Sequence, residues 1–293
     1  MRKFYTVVLV IMLAITYQTQ AQTTFSFNCP KDTTIFGCAS GCLVVRSTIP
    51  DIRSAASTYV INPIGGAAVG CYQPYVAPDI PGTPTSINSD DTYSSKIQLP
   101  FSFPFFGTSY DSIVISGNGY VSFDLTRAGL FSHYGILSTG TGLSATSGTP
   151  QDLPNTRYDR AVIMGPYHDI NIATNTSPNR RIKYETLGVA PHRKWVVSYY
   201  KVPLFDCTSL IENSHQIVLY EGSGIVEVFV YSVQNCSTWN NGRAMIGMQN
   251  YGRDRGIMAP GRAASNSPWG SINMNESWRF VPASGPTLYR KVV

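Results

Sequence analysis

The chain is 293 residues long, with 22 Lys and Arg against 17 Asp and Glu, and only 13% of it is charged. A formal net charge of +5, scattered along the chain, is too weak to argue for a nucleic-acid partner. Beyond the amino-terminal leader, no stretch approaches the roughly 18 apolar residues of a membrane helix, so no membrane span is expected. Gly, Ser, Thr, Asn, Pro and Tyr dominate instead, a hydroxyl- and amide-rich composition that suits an extracellular all-β protein.

Residues 1–22 read as a secretory signal peptide. Arg2 and Lys3 are followed by the short apolar run Val7–Ile15 and by small Ala21, after which cleavage is expected. Residues 23–70 form a cysteine-bearing N-terminal region. Within it, Ile49–Ala56 is a short helix candidate, with Pro50 in its first turn. Residues 71–89 carry four prolines and no period, and read as a linker. Residues 90–283 form the main β domain, and 284–293 a tail.

The main domain opens on an aromatic strand, "LPFSFPFFG". Phe101, Phe103 and Phe105 share one face, which makes them core anchors rather than a sugar-stacking surface; Phe106 points the other way. Pro104 cannot donate to a ladder, so this strand lies at an edge or is broken there. "SIVISGNGYVSF" follows as strand, turn and strand, with Asn118-Gly119 as a hairpin signal and Gly117 allowing a bulge. The Ser/Thr/Gly-rich stretch Gly129–Asn155 reads as a mobile surface loop. Strands are then expected at "AVIMGPY", at Trp195–Val202, and in the hairpin Gln216–Tyr220 and Ile225–Val233 around Glu-Gly-Ser-Gly. "AMIGMQNY" and "SWRFVP" complete the set. Strands separated by turns, without intervening helices, imply an antiparallel β-sandwich or partly closed barrel.

Six cysteines in an exported chain read as three disulfides. Metal binding is the rival reading, but Cys38-x3-Cys42 is a poor zinc spacing and no histidine lies near the first four cysteines. Cys207 and Cys236 follow the ends of two strands in an expected three-stranded meander, so they are predicted to pair. Cys29, Cys38, Cys42 and Cys71 would then pair among themselves, with three connectivities open.

Several residues invite a chemical reading. His168-Asp169 follows a strand and could be half of an acid–base or metal site. Adjacent strand residues point to opposite faces, however, and Asp169 reads better as a turn cap. Asp90-Asp91 near Asn88 lack the alternating spacing of a calcium loop and read as turn acceptors. His133, His168, His192 and His215 are far apart, and no nucleophile elbow or phosphate loop occurs. No metal or cofactor is therefore expected. A glycan hydrolase would have to draw two carboxylates from Asp159, Asp169, Glu185 and Glu227. Arg253, Arg255, Tyr251 and Arg243, near Arg262, form the candidate binding region, because forked donors beside a flat ring suit an acidic or glycan partner.

The segment "FPFFGTSYDSIVISGNGYVSF" resembles the start of nidogen-like extracellular domains. "AVIMGPYHDINI", "RKWVVSYYKVP", "NSHQIVLYEGSGIVEVFVYS" and "AMIGMQN" are similar to later strands of that family and come in the same order, over residues 98–283. His168 departs from the family pattern, which has a small or apolar residue there. The Gln-Ala-Gln that ends the leader resembles Bacteroidetes signal peptides. Surface proteins of that group join such modules to a cysteine-bearing leader and to a C-terminal type IX secretion or gliding-motility domain, which residues 284–293 do not supply. The resemblance implies a non-catalytic, secreted or cell-surface binding or adhesion module with an extracellular protein or glycan as partner. A glycan hydrolase and a structural subunit of a surface assembly are the alternatives.

Overall fold

The computed structural model describes residues 48–51, 58–64, 79–140, 142–207, 212–266, 268–271, 273–274, 276–283 and 288–291. The leader and Cys29, Cys38, Cys42 and Cys71, with their expected pairings, lie outside these residues.

The described residues form seventeen strands. These are β1 (Thr48–Asp51), β2 (Tyr59–Pro63), β3 (Thr83–Pro84), β4 (Ile97–Phe105), β5 (Thr108–Ile115), β6 (Tyr120–Ser122), β7 (Leu137–Ser138), β8 (Thr149–Pro150) and β9 (Val162–Tyr167), followed by β10 (Arg181–Leu187), β11 (Lys194–Pro203), β12 (Glu212–Tyr220), β13 (Val226–Ser232), β14 (Met245–Gln249), β15 (Gly256–Met258), β16 (Glu276–Pro282) and β17 (Leu288–Lys291). One sheet has the order β2-β16-β13-β12-β11-β10-β3 and the other β15-β14-β9-β6-β5-β4; β1-β17 and β7-β8 are separate ribbons. The main pairings are antiparallel and the two sheets face each other, so the architecture is an antiparallel β-sandwich.

The aromatic strand explains how the layers hold together. Burial along β4 alternates strictly, and Phe103 and Phe105 are almost completely buried, against Phe123 of the same layer. Trp195, Val197, Tyr199, Ile217, Val228 and Phe280 of the facing sheet close the same core. Each such phenylalanine contributes about 1.5–3 kcal/mol through burial. Pro104 is tolerated because β4 is an edge strand. Phe106 and Gly107, with φ of 47° and 83°, make the two-residue turn into β5.

Two expectations need correction. Thr48–Asp51, the described part of the helix candidate with its preceding residue, is strand β1, paired with β17 in the register Pro50↔Tyr289. β-Branched Thr48 and Ile49 favour extended backbone, and a two-stranded ribbon tolerates proline. Gly129–Asn155 is not a free loop. Ile136 and Leu137 are fully buried, β7 pairs with β8, and Tyr167 donates to the Gly135 carbonyl at 2.9 Å. The outer face of the second sheet carries Val114, Tyr120, Val162, Met164 and Met245, and this segment covers it. β9 is accordingly buried along its whole length.

Two segments expected outside the main domain supply edge strands to the first sheet. β2 pairs with β16, and β3 pairs with β10.

Candidate functional site

Three connections meet where β9 ends. His168, Asp169 and Ile170 leave β9, and Ile170 bridges to Leu204 just past β11. The Phe205 amide donates to the Asp169 carbonyl at 3.0 Å. Asn118, in the β5–β6 turn, is wholly buried; its Oδ1 accepts from the Ile170 amide at 3.2 Å, and its Nδ2 donates to Asp91 Oδ1 at 2.9 Å. The Asn-Gly turn therefore does more than reverse the chain: it ties the β9 exit to the Asp90-Asp91 loop.

Cys207 and Cys236 form a disulfide, with Cα atoms 5.9 Å apart. It joins the loop after β11 to the loop after β13, and Thr238 Oγ1 donates to Asp206 Oδ2 at 2.7 Å beside it. The pair brings Phe205 and Trp239 together, with ring centroids 5.2 Å apart. Trp239 stacks on Tyr134 at 6.4 Å, and Tyr134 meets Phe131 edge-on at 6.1 Å. Phe131 is 50% and Phe205 40% exposed, with Tyr134 and Trp239 half-buried between them. The result is a partly solvent-facing aromatic row. None of these four residues stands out in the sequence. The available signal was the cysteine pairing, which places the aromatics flanking each cysteine side by side.

Three carboxylates border the row. Asp90, Asp91 and Asp169 each bring an oxygen to within 4.8 Å of the others. The Trp239 indole donates to Asp169 Oδ2 at 2.7 Å, and Asn171 donates to Asp90 Oδ2 at 2.9 Å. Among the described residues, no Lys, Arg or His forms an ion pair with any of the three. Burial, then the neighbouring carboxylates, pushes Asp169 up to about 8. Burial and Asp91 push Asp90 up to about 6. Asp91 is also raised by burial, opposed by Asn118 and His133.

His168 does not partner Asp169. It is buried, burial lowers its pKa to about 3, and its Nε2 meets no hydrogen-bond partner. It stands as a neutral core histidine. His215 is also fully buried and stacks on Tyr199 at 4.4 Å. Gly165 makes room for it: a Cβ there would lie 2.7 Å from the imidazole. His192 is exposed and His133 half-buried.

The other carboxylates have separate structural partners. Asp159 Oδ2 accepts from Tyr93 at 2.8 Å and Tyr120 at 3.1 Å, and Arg127 lies 3.3 Å from its Oδ1. Glu227 is wholly buried, bonded by Tyr220 and by Arg279 at 2.6 Å. Glu185 lies on β10, opposite Val196. Asp169 is grouped with Asp90 and Asp91, not with these.

The arginine-bearing region is divided among internal contacts. Arg243 Nη1 donates to the carbonyls of Ala264, at 2.7 Å, and Asn266. Arg262 pairs with Glu276 and lies 4.4 Å over the Trp269 ring. Arg253 donates to the Thr156 carbonyl. Tyr251, 47% exposed, lies under the Arg160 guanidinium at 5.1 Å, and Arg255 is exposed.

No curated protein and no solved structure matches the chain. A model of the family described as NIDO related matches residues 66–288, about three quarters of the sequence. That span takes in both sheets of the sandwich from β3 onward, the aromatic row and the three carboxylates. The chain belongs to the NIDO-related family.

Proposed function

We propose that this protein is a non-catalytic binding module of an extracellular, secreted or cell-surface protein, and that its ligand is a glycan held on the aromatic row. The observation that carries this reading is the row Phe131–Tyr134–Trp239–Phe205 beside Asp90, Asp91 and Asp169. Flat apolar rings match the C–H faces of sugars, and carboxylate oxygens accept their hydroxyls. A rigid β scaffold presenting binding residues on its connections is a common arrangement. Family membership, the disulfide and the leader all favour an oxidising, extracellular setting. The leader and the N-terminal cysteines fit export from a Bacteroidetes-type cell.

The test is a glycan and matrix-protein array probed with the mature protein. Wild type is expected to bind a glycan, with Phe131→Ala/Phe205→Ala losing at least tenfold in affinity while the unfolding midpoint is unchanged. Arg255→Ala, on the separate Tyr251 loop, serves as the comparison; a larger loss there would move the contact to that loop. Binding only to a matrix protein would replace the ligand class. Turnover of any glycan, abolished in Asp169→Asn, would overturn the non-catalytic reading.

A further inference from the structure

We propose that Asp90, Asp91 and Asp169 form a calcium site that locks the Asp90-Asp91 loop to the exit of β9. The first observation is geometric: oxygens of the three carboxylates lie within 4.8 Å of one another, brought from two distant stretches of chain. The second concerns one atom. Asp169 is 2% exposed; its Oδ2 is taken by the Trp239 indole, while its Oδ1 is cut off from solvent and accepts no hydrogen bond. A buried carboxylate oxygen without a donor is costly unless a proton or a cation faces it.

The surrounding groups favour a cation. Asn118 and Asn171 each hold one oxygen of Asp91 and Asp90, orienting the carboxylates without neutralising them. Asp206 adds a fourth negative charge to the field at Asp169. Arg243 lines the same small cleft as Asp169, yet its Nη1 is turned to the Ala264 and Asn266 carbonyls. His133 acts on Asp91 without an ion pair to it, and its Nε2 lies 3.9 Å from Asp159.

The donor chemistry selects the ion. All three ligands are hard oxygens, which suit calcium over zinc or copper. The neighbouring cysteines are joined in the disulfide and offer no thiolate. Three carboxylates carried on loops match the weak class of extracellular calcium modules, with Kd of about 10⁻⁴–10⁻³ M. The inference does not depend on the glycan reading, because the ion would be bound by the protein alone.

The experiment titrates calcium chloride into the metal-stripped mature protein by calorimetry, and terbium chloride by luminescence excited through tryptophan. Wild type is expected to bind one calcium per chain and to show sensitised terbium emission that calcium displaces. Trp239 is the antenna, since its indole touches Asp169. Trp239→Phe should lose most of that emission while keeping the calcium heat. Asp169→Asn, which preserves shape and an acceptor for Trp239, should weaken calcium binding at least tenfold, and Asp90→Asn should do the same from the partly exposed loop. A flat calorimetric trace with no terbium emission in wild type would overturn the proposal. Wild-type affinity in folded Asp169→Asn would also overturn it. If that variant does not fold, Asp90→Asn decides by the same criterion.

Discussion

Removing the disulfide is the sharpest perturbation of the candidate site, because Cys207 and Cys236 join the loops that carry Phe205 and Trp239. The double variant Cys207→Ser/Cys236→Ser leaves other cysteines untouched, which a chemical reductant would not. The cross-link closes a loop with a sequence separation of 29 residues. In the chain-entropy account, opening such a loop releases unfolded-state freedom worth about 3.6 kcal/mol. At about 2–4 °C per kcal/mol for a domain of this size, the unfolding midpoint should fall by roughly 7–14 °C. The native state should change locally: Thr238 and Asp206 sit beside the pair, so the Trp239 ring loses the staple that sets it against Phe205. Thermal unfolding followed by near-ultraviolet circular dichroism measures the stability loss, and tryptophan emission reports the ring environment. A loss under about 1 kcal/mol would refute the reasoning, because the two loops would then be held without the cross-link. Glycan affinity should fall with the row's order even well below the new midpoint.

Three further outcomes follow from the packing and the titratable groups. Phe103→Ala, at a fully buried position of β4, should cost about 3–5 kcal/mol in urea unfolding, and a loss below 1 kcal/mol would show that the edge strand is not an anchor. His215 is held to about 3 by burial, then by neighbouring His168, so the unfolded chain takes up a proton that the folded one refuses. Stability should be full above pH of about 6.5 and fall toward about 3, by at most about 1.4 kcal/mol per pH unit for this group. His215→Phe, which keeps a flat ring on Tyr199, should reduce that slope in urea melts between pH 7 and 4 and leave the share of buried His168; an unchanged slope would assign it elsewhere. Arg253→Ala should lose about 1 kcal/mol because its guanidinium holds the Thr156 carbonyl, whereas Arg255→Ala should be nearly neutral. Equal losses in the two would contradict that distinction.

The alternation of apolar residues determined the strands, because a period of two specifies which side chains share a face whatever the rest of the chain does. Phe101, Phe103 and Phe105 were legible as one buried face, Pro104 as an edge or a break, and the hairpin after Gln216 as a hairpin. The meander logic also sufficed to pair Cys207 with Cys236, since consecutive antiparallel strands return the chain to one end of the sheet. Local pattern misled where the cover of a sheet mattered: the Gly129–Asn155 stretch reads as polar loop, yet Ile136 and Leu153 pack onto an outer face that only the folded sheet presents. Ile49–Asp51, the start of the Ile49–Ala56 candidate, reads as helix until its partner strand, near the other end of the sequence, is known. Only the tertiary structure decided the site. β9 lies between β6 and β14, and this order brings Asp169 beside Asp90-Asp91 and Trp239 beside Tyr134. Strand order is a property of the whole core, set by which faces must be buried together. No spacing within a single segment encodes which loops will meet at the end of a sheet.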